Sequence, residues 1–254
     1  MKILDFGGYI KVISFVNQKG GVGKTASAVS VASYLSKKNK VLLLDLDTQG
    51  NATLNSGIDI YNLKYTMKEL LLSEEIPVRD LIINSEKGYD VIGSNLKTAD
   101  VEMFLSTMFN REYILKERMA GCNYDYIIID CSPNLSLITV NALMFSNLVL
   151  IPLIPQKYAI VGVSALMRIL NLVKKGNNGI KHKYFITQFD GRMNNFKAFE
   201  TDIRESLKDD VLKTKIRVDN TMRIAQDEDK TIFEIKNSKC AEDYAALVEE
   251  IISE

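Results

Sequence analysis

The chain has 254 residues, of which 46% are hydrophobic and 25% are charged, a composition typical of a globular protein with one α/β domain or two small ones. Its 32 basic and 32 acidic residues balance, so contact with nucleic acid would need a local basic patch. The three cysteines lack C-x-x-C spacing, which argues against a disulfide framework, a zinc site or an iron–sulfur cluster and fits a reduced, cytoplasmic setting.

Apolar runs and helical patterns alternate along the chain. The first run, residues 11–17, is followed by a glycine loop and then by a helical spacing of Ala28, Val31, Ala32 and Leu35. Runs without polar alternation, typical of strands buried on both faces, cover residues 40–47, 89–93, 124–131, 147–153 and 183–189. Helical patterns cover residues 97–119, 135–145, 159–175 and 195–207. The alternation predicts an α/β fold, a mostly parallel sheet with helices on both faces, in a single domain over residues 1–254.

The glycine loop resembles a phosphate-binding loop but departs from the strict G-x-x-x-x-G-K-[ST] pattern. Gln18 stands where the first glycine belongs, and a second lysine, Lys19, follows it. The glycines allow backbone N–H groups to approach phosphate oxygens, and the N-terminus of the next helix favours an anion. Lys24 is predicted to reach the terminal phosphates and the Thr25 hydroxyl to coordinate Mg²⁺. The predicted nucleotide-binding residues are Lys19, Gly20, Gly21, Val22, Gly23, Lys24, Thr25 and Ala26.

Three aspartates stand at the ends of predicted strands. A site for a nucleotide with Mg²⁺ needs a carboxylate at the end of a strand near the loop. Asp130 closes the apolar run 124–131, and with the glycine loop present we favour a role in binding Mg²⁺ over that of a turn former. Asp45 and Asp47 close the run 40–47, and one or both could face the phosphates because alternate residues of a strand share a face. One of them could orient the attacking water, and Asp45 is a further candidate for binding Mg²⁺ through water.

These motifs carry a family resemblance over residues 11 to about 252. The segments "KGGVGKT", "LLLDLDTQGNAT", "YDYIIIDCSPNLSLITVNAL", "VLIPLIPQKYAIVG" and "FDGR" occur in the order and spacing of the ParA/Soj-type partition ATPases. That family belongs to the deviant Walker A, or MinD/ParA, class of P-loop ATPases. The resemblance implies a doubly wound sheet, slow hydrolysis of ATP with Mg²⁺, an ATP-dependent homodimer, non-specific DNA binding and a ParB-type partner.

The resemblance also implies roles for individual residues. Lys19 matches the signature lysine, which reaches across the dimer interface to the partner's nucleotide, and Gln18 is usual in this version of the loop. Asp47 matches the aspartate needed for hydrolysis and Asp130 the Walker B aspartate, so the implied catalytic set is Lys19, Lys24, Asp47 and Asp130. The chain departs from the family's pattern at Ala26, Gly93, Ser132, Gln156 and Val161.

The C-terminal part contains the candidate DNA contacts. Residues 181–223 hold ten Lys and Arg against seven Asp and Glu, whereas residues 224–254 hold three against nine. Arg192, Arg217 and Arg223 match or neighbour family positions implicated in DNA binding, with ordinary surface charge as the alternative interpretation.

The two ends of the chain argue against operator-specific repression and against membrane docking, and the resemblance implies a cytoplasmic, nucleoid-associated protein. Only about ten residues precede the first strand, a short extension over 1–10 that predicts no helix-turn-helix domain. The acidic segment "CAEDYAALVEEIISE" at the other end has the wrong sign for an anionic membrane. The predicted function is DNA segregation with a ParB-type partner. The alternative is a MinD/ParA-class positioning ATPase that acts as a nucleotide-gated scaffold for another cargo.

Overall fold

The described residues form one eight-stranded sheet, and the glycine loop follows directly after one of its central strands. A computed structural model describes residues 10–156, 159, 161–192 and 196–253. The spatial order of the strands is β3-β4-β2-β5-β1-β6-β7-β8, and every pair is parallel except β3–β4. The strands are β1 Lys11–Phe15, β2 Val41–Leu46, β3 Ile83–Asn84, β4 Asp90–Ile92, β5 Tyr126–Cys131, β6 Leu148–Leu153, β7 Lys181–Phe189 and β8 Val211–Arg217. This order confirms the doubly wound, mostly parallel sheet.

Alternate side chains of each strand contribute to two separate cores, one on each face of the sheet. On β2, Leu42 and Leu44 pack against one set of helices, and Leu43 packs against the other. The helices are α1 Lys24–Leu35, α2 Asn51–Leu54, α3 Met67–Leu72, α4 Val101–Leu105, α5 Ile114–Arg118, α6 Leu137–Phe145, α7 Ser164–Val173, α8 Phe196–Leu207, α9 Asn220–Asp227 and α10 Lys239–Ser253. Helices α1, α2, α9 and α10 cover the face of Leu43, and α3 to α8 cover the other. Asp45 lies two residues after Leu43, and Asp130 two residues after Ile128. Both aspartates are therefore on the face of the sheet that α1 covers.

Several elements differ from the sequence-based expectation, and four that the sequence analysis did not predict are β3, α2, α9 and α10. The pattern over 97–119 forms a 3-10 helix over Leu96–Asp100 and then two short α-helices, which are separated because Ser106 and Thr107 hydrogen-bond back to backbone carbonyls and Asn110 takes a left-handed conformation with φ of 50°. Strand β8 was not predicted, because three consecutive polar residues, Lys213, Thr214 and Lys215, interrupt the apolar residues of this edge strand. Helix α3 was also missed, although Thr66 and Glu69 form the capping box that marks its start.

Some predictions include residues outside the described part of the chain. Residues 1–9 of the predicted N-terminal extension, residue 160 of the predicted helix over 159–175, residue 195 of the predicted helix over 195–207 and residue 254 of the predicted single domain fall there. Within the described ranges, no helix combines the length and the apolar character needed to cross a membrane.

Candidate nucleotide site

The glycine loop is held by polar side chains on both sides. Asn17 donates its amide to the carbonyl of Pro152 at 2.7 Å and accepts the N–H of Lys19 at 2.9 Å, which ties the start of the loop to β6. Gly21 and Gly23 have φ of 71° and 90°, a conformation that side-chain-bearing residues rarely adopt. These two glycines allow the turn that delivers the chain into α1.

The end of β7 holds the other side of the loop. The hydroxyl of Thr187 donates to the Val22 carbonyl at 2.8 Å, and the amide of Gln188 donates to the Gly21 carbonyl at 2.6 Å. In a trans peptide the C=O and N–H point in opposite directions, so these contacts turn the N–H groups of Val22 and Gly23 away from β7. Gln188 itself has φ of 52°, a strained value for a residue other than glycine.

The base of the site contains a buried lysine and a hydroxyl–carboxylate pair. Lys24 is only 7% exposed and its Nζ lies 3.4 Å from the carbonyl of Lys19. Burial lowers the pKa of Lys24, and the nearby Asp130 opposes this effect. The Thr25 hydroxyl donates to Oδ2 of Asp130 at 2.6 Å. Asp130 is fully buried, and burial together with the neighbouring Asp45 raises its pKa well above the usual range.

The donor set at this base suits Mg²⁺. Within the described residues, Oδ1 of Asp130 is buried and has no hydrogen-bond partner, which is costly unless a cation or its water shell satisfies it. A carboxylate beside a hydroxyl supplies the hard oxygen ligands that Mg²⁺ prefers, and Mg²⁺ keeps several waters between itself and the protein. Thr25 and Asp130 are therefore the residues that would hold it.

Asp45 and Asp47 lie in different environments although they are two residues apart. Asp45 is fully buried, its two oxygens accept hydrogen bonds from this chain, and burial raises its pKa to about 6. Asp47 follows the end of β2, is half-buried and lines the cleft above the loop. Its Oδ1 accepts the N–H of Gln49 at 3.0 Å. Of the two, only Asp47 borders the cleft.

The loop, α2 and α9 enclose a cleft of about 580 Å³. Its walls include most of the predicted loop residues together with Asp47. They also include six residues that sequence reasoning missed: Asn51, Asn55, Pro133, Gln188, Met222 and Gln226. The helical spacing of Met222 and Gln226 shows that they share a face, but no local signal places that face against a loop about 200 residues earlier in the chain. The cleft is thus built from distant parts of the chain.

The two lysines of the loop point to different places. Lys24 lines the cleft, whereas Lys19 is exposed and donates its Nζ to Oε1 of Gln156, beyond the end of β6. Lys19 is not among the cleft-lining residues of the described chain. The second lysine therefore contributes no charge to the wall of its own cleft.

The three candidate DNA-binding arginines differ in their contacts. Arg192 is 90% exposed and pairs with its neighbour Asp190, and Arg223 is exposed and contacts Asn220. Arg217 instead makes a two-pronged ion pair with Asp243 of α10, at 2.6 and 2.7 Å. Its guanidinium joins β8 to α10, so its contacts favour a structural role over one at the DNA surface.

These features together define a P-loop nucleotide-binding protein. A central parallel strand leads through a glycine loop into a helix, and a buried lysine and a Thr–Asp pair lie at the base of the loop.

Comparisons with known proteins agree with this class. A family model described as an AAA domain matches residues 10–182. The chain is 36% identical to the chromosome partitioning protein ParA of Myxococcus xanthus over 252 residues, 95% of this chain and 88% of that protein. It is 34% identical to the sporulation initiation inhibitor protein Soj of Bacillus subtilis, over 95% of this chain and 98% of that protein.

The fold agrees with a solved structure as well. A cobyrinic acid a,c-diamide synthase from Mycobacterium smegmatis, with bound ATP analogue and magnesium, superimposes with a TM-score of 0.85 at 27% identity, covering 96% of this chain and 95% of that one. The protein belongs to the ParA/Soj family of P-loop ATPases.

Proposed function

We propose that this protein is a slow Mg²⁺-dependent ATPase that dimerises on ATP, binds DNA without sequence preference and segregates chromosome or plasmid DNA with a ParB-type partner. The contrast between its two lysines is the observation that carries the proposal. Lys24 is buried in the cleft, whereas Lys19 is exposed outside it. A cation supplied in trans completes a phosphate site only when two subunits meet, as an arginine finger does.

In the proposed mechanism the loop binds the phosphates and Lys24 neutralises their charge. Mg²⁺ held by Thr25 and Asp130 would add positive charge at the phosphate oxygens. Asp47 borders the cleft and is placed to orient the attacking water. The site lacks a strong general base within the described residues, so turnover is slow and depends on dimerisation and on the partner.

The proposed DNA surface lies on the basic part of the C-terminal region. Arg192 and Arg223 are exposed there, and each contributes most when the dimer aligns two such surfaces, because affinity grows with the number of phosphates contacted. The single ATPase domain is supported by the pairing of all described strands in one sheet. We place the protein in the cytoplasm, on the nucleoid, and without a membrane partner.

The test is ATP-dependent binding to random-sequence duplex DNA, measured by fluorescence anisotropy over a salt series. We expect binding with ATP and Mg²⁺, little with ADP, and a steep loss of affinity as salt rises. Lys24→Ala is the control that should bind neither nucleotide nor DNA. A wild-type protein that dimerises on ATP and ignores DNA would support the alternative, a nucleotide-gated scaffold for another cargo.

A further inference from the structure

The carboxylate of Asp45 joins two segments next to the cleft. Its Oδ1 accepts the N–H of Asp47 at 3.1 Å, and its Oδ2 accepts both the N–H and the hydroxyl of Thr53, at 2.9 and 2.7 Å. Asp45 and Thr53 are both fully buried. The carboxylate therefore connects the end of β2 with helix α2, whose neighbouring residues line the cleft.

A third segment is attached through Thr53. The Thr53 hydroxyl accepts the N–H of Ser94, just after β4, at 3.0 Å. The segments are packed so closely that side chains are excluded at two positions. A Cβ on Gly93 would lie 2.8 Å from Cγ2 of Thr53, and a Cβ on Gly50 would lie 2.6 Å from the carbonyl oxygen of Ser94. Small displacements of Thr53 must therefore move the loop between Asp47 and α2.

Both oxygens of Asp45 are engaged by this chain, in contrast to those of Asp130. Asp130 keeps a buried oxygen without a partner in the described residues, whereas Asp45 accepts three hydrogen bonds. A carboxylate that accepts three hydrogen bonds has little free lone-pair capacity for the water shell of a cation. The contacts separate the roles of the two aspartates, although they are paired across β2 and β5.

We propose that Asp45 is a positioning residue for ATP hydrolysis, which acts through Thr53 to hold the loop that carries Asp47. The proposal rests on the proposed function. The Asp47 side chain does little to hold this loop in place, since among the described residues its carboxylate hydrogen-bonds only to the N–H of Gln49. Its place relative to the phosphates depends on the backbone on which it stands. A misplacement of about 1 Å at a reacting group can cost about 100-fold in rate, so this support matters for turnover and not for nucleotide binding.

The experiment compares Thr53→Val, Thr53→Ser and Asp45→Asn in the full chain, with Ser56→Ala as a control that removes another buried hydroxyl of the same region. We expect Thr53→Val and Asp45→Asn to lower kcat about 10-fold or more. Three other quantities should stay within about twofold of wild type: KM, the affinity for a fluorescent ATP analogue, and the Mg²⁺ concentration for half-maximal activity. Thr53→Ser restores turnover because it keeps the hydroxyl. The double variant Asp45→Asn/Thr53→Val should be less impaired than the product of the two single effects, because both changes remove the hydrogen bond between the Thr53 hydroxyl and Asp45.

A readout without turnover completes the test. In the nucleotide-free protein, amide hydrogen exchange over residues 47–53 should be faster in Thr53→Val than in wild type or Ser56→Ala, with little change in the global unfolding midpoint. Wild-type kcat in Thr53→Val would overturn the proposal, and so would a raised Mg²⁺ requirement in Asp45→Asn, which would make Asp45 a ligand of the ion's water shell. Absence of ATP hydrolysis by the wild-type protein would instead remove the proposed function, and this inference with it.

Discussion

The hydroxyl of Thr25, at the start of α1, donates a 2.6 Å hydrogen bond to Asp130 at the end of β5. The two residues are 105 positions apart and meet because β5 pairs directly with β1, whose loop leads into α1. Oδ2 of Asp130 is thereby fixed, and Oδ1 is left buried without a partner in the described residues. The hydrogen bond from Thr25 thus leaves Oδ1 of Asp130 available to the Mg²⁺ ion that accompanies a nucleotide.

Replacing Asp130 by Asn should remove the benefit that Mg²⁺ gives to nucleotide binding. The amide keeps the size of the side chain but loses the negative charge, so we expect the affinity for ATP in Mg²⁺ to fall about 10-fold or more, towards the value in EDTA. Affinity in EDTA should change little. Fluorescence titration with an ATP analogue in both buffers checks this, and an unchanged ratio of the two affinities would contradict the role of Asp130.

The two loop lysines should separate nucleotide binding from dimerisation. Lys24→Ala removes the buried charge of the cleft and should abolish ATP binding. Lys19→Ala should bind ATP yet stay monomeric, because the charge that offsets two facing triphosphates is gone. Calorimetry measures the first effect and light scattering with ATP the second. A Lys19→Ala protein that dimerises normally would refute action across the interface.

Asp47→Ala should bind ATP and fail to cleave it. Asp47 borders the cleft, and within the described residues its carboxylate makes no hydrogen bond to the phosphate loop, so its loss removes the orientation of water but leaves the binding groups in place. The ATP-bound dimer should therefore accumulate. Size-exclusion chromatography with ATP, together with phosphate release, distinguishes this result from a variant that stays monomeric or hydrolyses at the wild-type rate.

The arginines of the C-terminal region should divide into two groups. Arg192→Glu with Arg223→Glu should dimerise on ATP and release DNA, because both side chains are exposed cations. Arg217→Ala should instead lower the free energy of unfolding by about 1 kcal/mol through loss of its pair with Asp243, a figure kept small by solvent screening of a side chain that is 35% exposed. Urea denaturation and DNA anisotropy check the two effects. A fully stable Arg217→Ala protein with lost DNA binding would reverse this assignment.

Thr187→Val should weaken ATP binding although Thr187 lies on β7 and not in the loop. The variant keeps the shape of the side chain and loses the hydrogen bond to the Val22 carbonyl, so the loop N–H groups are less well oriented. One hydrogen bond contributes about 1 kcal/mol, which corresponds to an affinity loss of about fivefold. Thr187→Ser keeps the hydroxyl and should retain wild-type affinity. Equal affinities in all three proteins would show that the loop needs no support from β7.

The sequence alone determined the part of the site that is local in the chain. The glycine loop, Lys24 and Thr25 follow one another between a strand and a helix, so their spacing predicts both structure and chemistry without any distant contact. Asp130 was predictable because carboxyl ends of parallel strands meet at one edge of a sheet. The family motifs and the apolar runs sufficed for the doubly wound fold, although they missed the largely polar edge strand β8.

Only the tertiary structure decided which groups meet across the fold. Asp45 and Asp47 look alike in sequence, but strand pairing buries Asp45 against Thr53 and leaves Asp47 at the cleft. Support of the loop by Thr187 depends on the position of β7 beside β6, and the pairing of Arg217 with Asp243 depends on the packing of α10 against β8. The last two contacts join residues 165 and 26 positions apart, and their geometry follows from strand order and register, which no local pattern specifies.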